Sequence, residues 1–322
     1  MGTRKSINFL VPKKGNELSM TLEHGFFDYL EQRDYSPDTK RGYLADLEHF
    51  AAWFQHKNGE ILAPARLTPS DIKEYKNDLL TVKRCKASTI NRHLSAIAAY
   101  ARWAQESGLI HTDPTLYVKS VKQVASAPKW LDKSEQYALQ RAIERDLQIS
   151  KLRYSKRWIT HRRDASIVLF LLNTGLRLNE LVSMRLGDLE LSERKGSLLV
   201  QNGKGEKQRN VPLNAEARKV LQEWLAVRPE TKDDSVWVAV EAEQAGLSKR
   251  GVQRILERYA AEAGLEEFTA HICRHTFAKN LTNQNVGMEK VAALLGHANL
   301  NTTRMYIAPD VHDLERAVES LG

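Results

Sequence analysis

Cysteine is nearly absent from this chain: two in 322 residues, Cys85 and Cys273, far apart and forming no Cys-x-x-Cys pair. Neither a disulfide framework nor a cysteine-based zinc site can be built from them, and a reducing cytoplasm is the natural setting. Long hydrophobic runs are missing too. A membrane-spanning helix needs about 18 consecutive apolar residues, and the longest stretch here, residues 165–172, is interrupted by Ser166 and reads as a buried helix. The start of the chain has no apolar secretory segment. Its first six residues, MGTRKS, fit the loose myristoylation pattern, but so short a match arises easily by chance, and a basic, flexible start is the preferred reading. No GxxxxGK[ST] phosphate loop occurs, and no cluster of acidic residues has the pattern of a two-metal nuclease. Internal repeats and low-complexity tracts are absent as well.

What is abundant is positive charge. Lys and Arg number 48 against 40 Asp and Glu, a net charge of +8, and the pI is near 9.3 with a mean hydropathy of −0.48. That balance favours a polyanionic partner and argues against a membrane protein. A length of 322 residues suits two domains.

Residues 1–20 show little hydrophobic periodicity and are expected to form a mobile arm. From residue 21 onward the apolar positions recur at helical spacing: Leu22, Phe26, Phe27 and Leu30, then Tyr43, Leu47, Phe50 and Phe54 after the capping sequence SPDT at 36–39. A second cap with proline in the first turn, TPSD at 68–71, starts a third helix. A fourth carries Ile90, Leu94, Ile97, Ala98 and Ala101 and stops near Gly108. No strand-like alternation occurs in residues 21–112. The polar faces of this unit carry Lys40, Arg41, Lys83, Arg84, Lys86, Arg92 and Arg102. A solvated face is the ordinary explanation of such charges; a surface against DNA phosphates is the functional one, favoured by the cluster just ahead of the fourth helix.

Residues 119–132 (KSVKQVASAPKWLD) are expected to be a linker, because they are basic, rich in small residues and contain Pro128. Helical pattern resumes at 133–146. Within this second part, the short apolar run 197–201 is followed by a glycine-rich turn at 202–206 and then by residues 207–213, the pattern of a β-hairpin. Helices follow at 215–227 and 248–263. The stretch 148–163 is unusually basic, and with Arg162 and Arg163 it is expected to lie against DNA, a solvated connection between helices being the alternative.

Four motifs stand in order in the second part: TGLRLNEL at 174–181, GKGEKQR at 203–209, HICRH at 271–275, and LLGH at 294–297 followed nine positions later by Tyr306. Singly, each has an ordinary explanation, such as a surface salt bridge, a turn lysine, a capping pair or a packed aromatic. In this order and at these spacings they resemble the tyrosine recombinase (phage integrase) family, with every motif position filled by the expected residue. The resemblance covers the whole second part, and the four-helix unit before it is similar to the family's SAM-like core-binding domain.

The resemblance implies a mainly α fold with a small antiparallel β-sheet in the catalytic domain. Its parts are an arm at 1–20, a core-binding domain at 21–118, the linker, and a catalytic domain at 133–322 with a tail from about 309. It also implies site-specific cleavage and rejoining of DNA through a 3′-phosphotyrosyl linkage, without ATP, metal or other cofactor. The expected partners are double-stranded DNA with inverted-repeat core sites and three further copies of the chain, the tail docking on a neighbour as the resemblance implies, or folding back on its own domain. A two-domain member of Xer-like or transposon-encoded type fits best. A cytoplasmic protein, on the nucleoid when DNA-bound, is expected, and no membrane partner.

The chemistry explains the residue types. Attack on a phosphodiester builds negative charge on the non-bridging oxygens, and Arg177 and Arg274 can grip those oxygens without losing their own charge. Tyr306 is the expected nucleophile; its phenol, with an unperturbed pKa of about 10, must lose a proton, and His271 is expected to take it or to stabilise the transition state. Lys204, at the hairpin tip, can protonate the departing 5′ oxygen. His297 is expected to hydrogen-bond a phosphate oxygen, and Glu180 to orient Arg177 or the histidine rather than do chemistry itself. A type IB topoisomerase uses a similar set, but the TGLRxxEL and LLGH motifs and the tail favour a recombinase. A DNA-binding protein without chemistry is disfavoured by the complete set.

Overall fold

The computed structural model describes residues 17–33, 35–123, 128–154, 157–201, 208–240, 245–297, 300–304 and 318–319. The chain divides into two compact units, Met1–Ala125 and Ser126–Gly322.

The first unit contains four helices, α1 (Glu17–Gln32), α2 (Pro37–Asn58), α3 (Pro69–Thr81) and α4 (Ala87–Glu106). The caps explain their starts. Ser36 Oγ accepts the Thr39 N–H at 3.1 Å. Thr68 and Asp71 satisfy one another reciprocally, the Thr68 N–H donating to Asp71 Oδ2 at 2.9 Å. The apolar stripes meet in one core with Phe26, Leu30, Phe50, Ile72, Ile90, Ile97 and Tyr100 almost fully buried. Phe26 meets Tyr100 edge-on at 5.5 Å between ring centroids.

The stretch expected to link the units is anchored at both its ends. The Asn91 side chain donates to the Val121 carbonyl at 2.9 Å and accepts the Val121 N–H at 2.8 Å. The Leu131 N–H donates to Thr276 Oγ1 at 2.9 Å in the second unit.

The second unit opens with α5 (Lys133–Arg153) and α6 (Trp158–Thr174), then α7 (Leu178–Ser183). Three short strands follow, β1 (Leu189–Leu191), β2 (Gly196–Val200) and β3 (Arg209–Pro212), antiparallel in the order β1-β2-β3. Leu198 pairs with Leu189 on one side and Val211 on the other, so a single buried leucine registers the sheet. Helices α8 (Ala215–Leu225), α9 (Lys249–Ala263), α10 (Ala270–Asn283), α11 (Met288–Leu295) and α12 (Asn301–Arg304) complete the described elements.

Helix α6 is the apolar run expected at 165–172. Ala165, Ile167, Val168, Phe170 and Leu171 are all fully buried, and the helix packs on α5, α8, α9 and α10. A smaller cluster of Ala278, Val291 and Leu295, with Phe277 against it, joins α11 to α10. These two packings bring the end of α6, the start of α7 and the C-terminus of α11 together.

Candidate active site

Helix α6 stops at Gly175, whose φ of +63° lies in the left-handed region. No side chain fits here, since a Cβ would come within 2.4 Å of Phe277 Cδ1. The turn throws Arg177 out in an extended conformation as the cap of α7. Glu180 Oε2 accepts the Arg177 backbone N–H at 2.8 Å, and Oε1 accepts its Nη1 at 2.9 Å. Sequence logic thus places arginine and glutamate one helical turn apart, and the helix N-terminus welcomes the carboxylate.

Helix α11 ends on Gly296, again left-handed at φ +66°. Three successive carbonyls at this end each accept from a different arginine. Arg209 Nε reaches Leu294 O at 3.2 Å, Arg274 Nη2 reaches Leu295 O at 2.6 Å, and Arg177 Nη2 reaches Gly296 O at 2.8 Å. The last turn of a helix has carbonyls with no partner inside the helix and carries partial negative charge. That is why three cations can be gathered here without mutual repulsion driving them apart.

Arg274, on α10, is buried, and its Nη1 also donates to the Gly175 carbonyl at 2.8 Å. His271 begins the same helix and is exposed. Its ring stacks near that of His275, centroids 6.3 Å apart. His297 follows the α11 cap, its Nδ1 2.8 Å from the hydroxyl of fully buried Thr303.

Burial, with Arg274 and Arg177 nearby, pushes the His297 imidazole down to about 4. Burial, then His271 and Arg274, bring His275 down to about 4 as well. Both rings are therefore neutral at pH 7. Burial pushes Glu180 upward, but the hydrogen bonds from Arg209 and Arg177 outweigh it and hold the carboxyl below its ordinary range.

Of the expected catalytic residues, Arg177, Arg274 and His297, together with Glu180, gather around the end of α11, and His271 lies along α10 beside His275. Lys204 and Tyr306 lie outside the described residues, as does the tail from 309 apart from Val318 and Glu319. Arg209 and His275 fall within the four motifs and Thr303 between the last of them and Tyr306, yet spacing alone gives none of the three a role. Their contacts are tertiary and leave no trace in local sequence. No cluster of His, Cys, Asp or Glu among the described residues could hold a metal ion.

The expected DNA contacts divide. Lys83, Arg84 and Lys86 are exposed between α3 and α4, in a turn where Arg84 adopts φ +49°. Lys40 pairs with Glu31 at 2.8 Å, Arg41 with Asp38, and Arg92 with buried Asp46 at 2.7 Å. Arg162 pairs with Glu223 at 2.7 Å and stays partly exposed. Arg163 is a correction: it is buried, bonded to Asp164 Oδ1 at 2.6 Å and to the Val238 carbonyl at 3.0 Å. It faces the core, because α6 turns that side inward, and it cannot reach DNA from there.

The phage integrase family matches residues 140–312, and the family's N-terminal SAM-like domain matches residues 22–109. Tyrosine recombinase XerC of Thermodesulfovibrio yellowstonii is 30% identical over 290 residues, covering 88% of this chain and 89% of that protein. Tyrosine recombinase XerC of Lactobacillus delbrueckii subsp. bulgaricus is 31% identical over 293 residues, covering 89% and 94%. The fold is similar to that of XerH site-specific recombinase bound to a palindromic difH substrate, with a TM-score of 0.69 and 24% identity over 87% of this chain and 78% of that one. With its motifs in order and its arginines gathered on one helix end, the chain belongs to the phage integrase family and is a tyrosine recombinase.

Proposed function

We propose that this recombinase cleaves and rejoins DNA strands at inverted-repeat core sites, Tyr306 acting as nucleophile. The observation that carries the reading is the gathering of Arg177, Arg274 and His297 at the C-terminus of α11, with His297 nine residues before Tyr306. Two guanidinium groups offer fixed positive charge to the non-bridging oxygens of one phosphate, where charge grows as the nucleophile approaches. If Thr303 donates to Nδ1, the neutral His297 presents its Nε2–H to a phosphate oxygen.

In the cleavage step Tyr306 Oη bonds to phosphorus and the bond to the 5′ oxygen breaks. His271, exposed at the start of α10, takes the phenol proton, and Lys204 supplies a proton to the departing oxygen. The 3′-phosphotyrosyl linkage keeps the energy of the broken ester, so a 5′-hydroxyl reverses the step without ATP. The exposed cations Lys83, Arg84 and Lys86 contact backbone phosphates from the first unit. Four copies assemble on two sites, the tail of each docking on its neighbour. The residue types of a simple two-domain, Xer-like recombinase support this reading.

Covalent trapping on fragmented genomic DNA tests it. Wild-type protein stopped with denaturant should retain fragments that share one inverted-repeat sequence. Tyr306→Phe should bind the same fragments and retain none covalently. Fragments with no common sequence would overturn site specificity.

A further inference from the structure

Glu180 has two arginine partners, and their geometry differs. Arg209 meets it fork to fork, Nη1 on Oε1 at 2.9 Å and Nη2 on Oε2 at 2.8 Å. Its remaining nitrogen, Nε, donates to the Leu294 carbonyl. All three guanidinium nitrogens of Arg209 are thus engaged, and its side chain is 11% exposed. Arg177 shares one side-chain bond with Glu180, through Nη1, and its side chain is 36% exposed. Gly296 leaves room for this packing, since a Cβ there would lie 2.7 Å from Arg209 Nη1.

The charges can be counted from these contacts. One carboxylate faces two guanidinium groups, and the bidentate geometry assigns its charge mainly to Arg209. Remove Arg209, and a buried carboxylate is left with Arg177 as its remaining side-chain ion-pair partner among the described residues. An underpaired buried carboxylate draws its remaining cation in tightly. Arg177 would then face the phosphate with its charge already compensated.

We infer that Arg209 is a positioning residue for strand cleavage: it neutralises and fixes Glu180, so that Arg177 meets the scissile phosphate with uncompensated charge. The inference rests on the recombinase reading above. Arg209 touches no reacting atom in this scheme and acts through Glu180 and Arg177.

The test uses full-length protein and a nicked duplex carrying the trapped site, with covalent adduct formation followed under single-turnover conditions. Arg209→Ala should slow cleavage about 10- to 100-fold while DNA affinity stays within about threefold. Arg209→Lys, which keeps the charge but loses the fork, should fall between the two. Glu180→Gln in the Arg209→Ala background should recover much of the loss, because it removes the surplus negative charge. On a substrate with a neutral methylphosphonate at the scissile position, the penalty for Arg209→Ala should shrink, since less charge there needs offsetting.

Wild-type rates in Arg209→Ala would overturn the inference. So would equal losses on both substrates with no recovery by Glu180→Gln, the pattern of a merely structural arginine. Should Arg209→Ala fail to fold, Arg209→Lys decides: it must lose more on the phosphodiester than on the methylphosphonate. No adduct with wild-type protein would instead sink the recombinase reading itself.

Discussion

Arg162 and Arg163 are adjacent in sequence and opposite in circumstance. Arg162 reaches Glu223 from a partly exposed position, whereas Arg163 spans Asp164 and the Val238 carbonyl inside the core. Removing one partner of a buried ion pair leaves an uncompensated charge, which typically costs about 3–5 kcal/mol. Asp164 keeps Arg258 as a second partner at 3.0 Å, so Arg163→Ala should cost less, about 2–3 kcal/mol. Arg162→Ala should cost under about 1 kcal/mol. Urea unfolding midpoints check both, and equal losses would contradict this assignment. The basic run at 148–163 hid the distinction, because a helix that buries one side makes neighbours of a surface residue and a core residue. The residues of the candidate site were more legible, since Arg177, Glu180, Arg274 and His297 sit in motifs whose spacing survives as primary sequence. The carboxylate–guanidinium pairing of Glu180 with Arg209 was not, because it joins positions 29 apart across a helix and a strand.

At the scale of elements, the C-terminus of α11 gathers the residues of the candidate site. Its unpaired carbonyls accept three arginines, and the neutral rings of His275 and His297 sit among those cations. Unfolded, both imidazoles bind a proton near pH 6.5; folded, they resist it until about 4. Between those values the unfolded state holds more protons, so the stability of the DNA-free protein is full above about pH 6.5 and falls as pH drops toward 4. Urea midpoints at pH 7, 5.5 and 4.5 should decline in that order, and His275→Gln should flatten the decline. A midpoint that rises on acidification would contradict the direction of these shifts. The helices of the first unit were legible from caps such as SPDT and TPSD, and the hairpin from one apolar run followed by a glycine-containing turn. Strand β1 was not, since three residues cannot display alternation, and its place is set by pairing Leu189 with Leu198.

For the whole molecule, a net charge of +8 and an exposed basic turn at Lys83, Arg84 and Lys86 fit a chain that draws most of its binding energy from phosphates. Each neutralised phosphate releases condensed counterions, so the logarithm of affinity should fall linearly with the logarithm of salt. Charge reversal at all three positions should reduce the slope by about 0.9 for each phosphate that is no longer neutralised. An unchanged slope would remove that turn from the DNA interface. The boundary between the two units falls after Ala125, inside the stretch 119–132 read as a linker, and hydrogen bonds to Asn91 and Thr276 hold more of that stretch than its small, basic residues announced.

The central claim is that the helix end holding Arg177, Arg274 and His297 activates one phosphate for attack by Tyr306. Digestion of the covalent DNA adduct with protease and nuclease, followed by mass spectrometry of the modified peptide, tests it most directly. The account predicts a nucleotide 3′-phosphate joined to the Tyr306 hydroxyl. Attachment at any other residue, or through a 5′-phosphate, would contradict it.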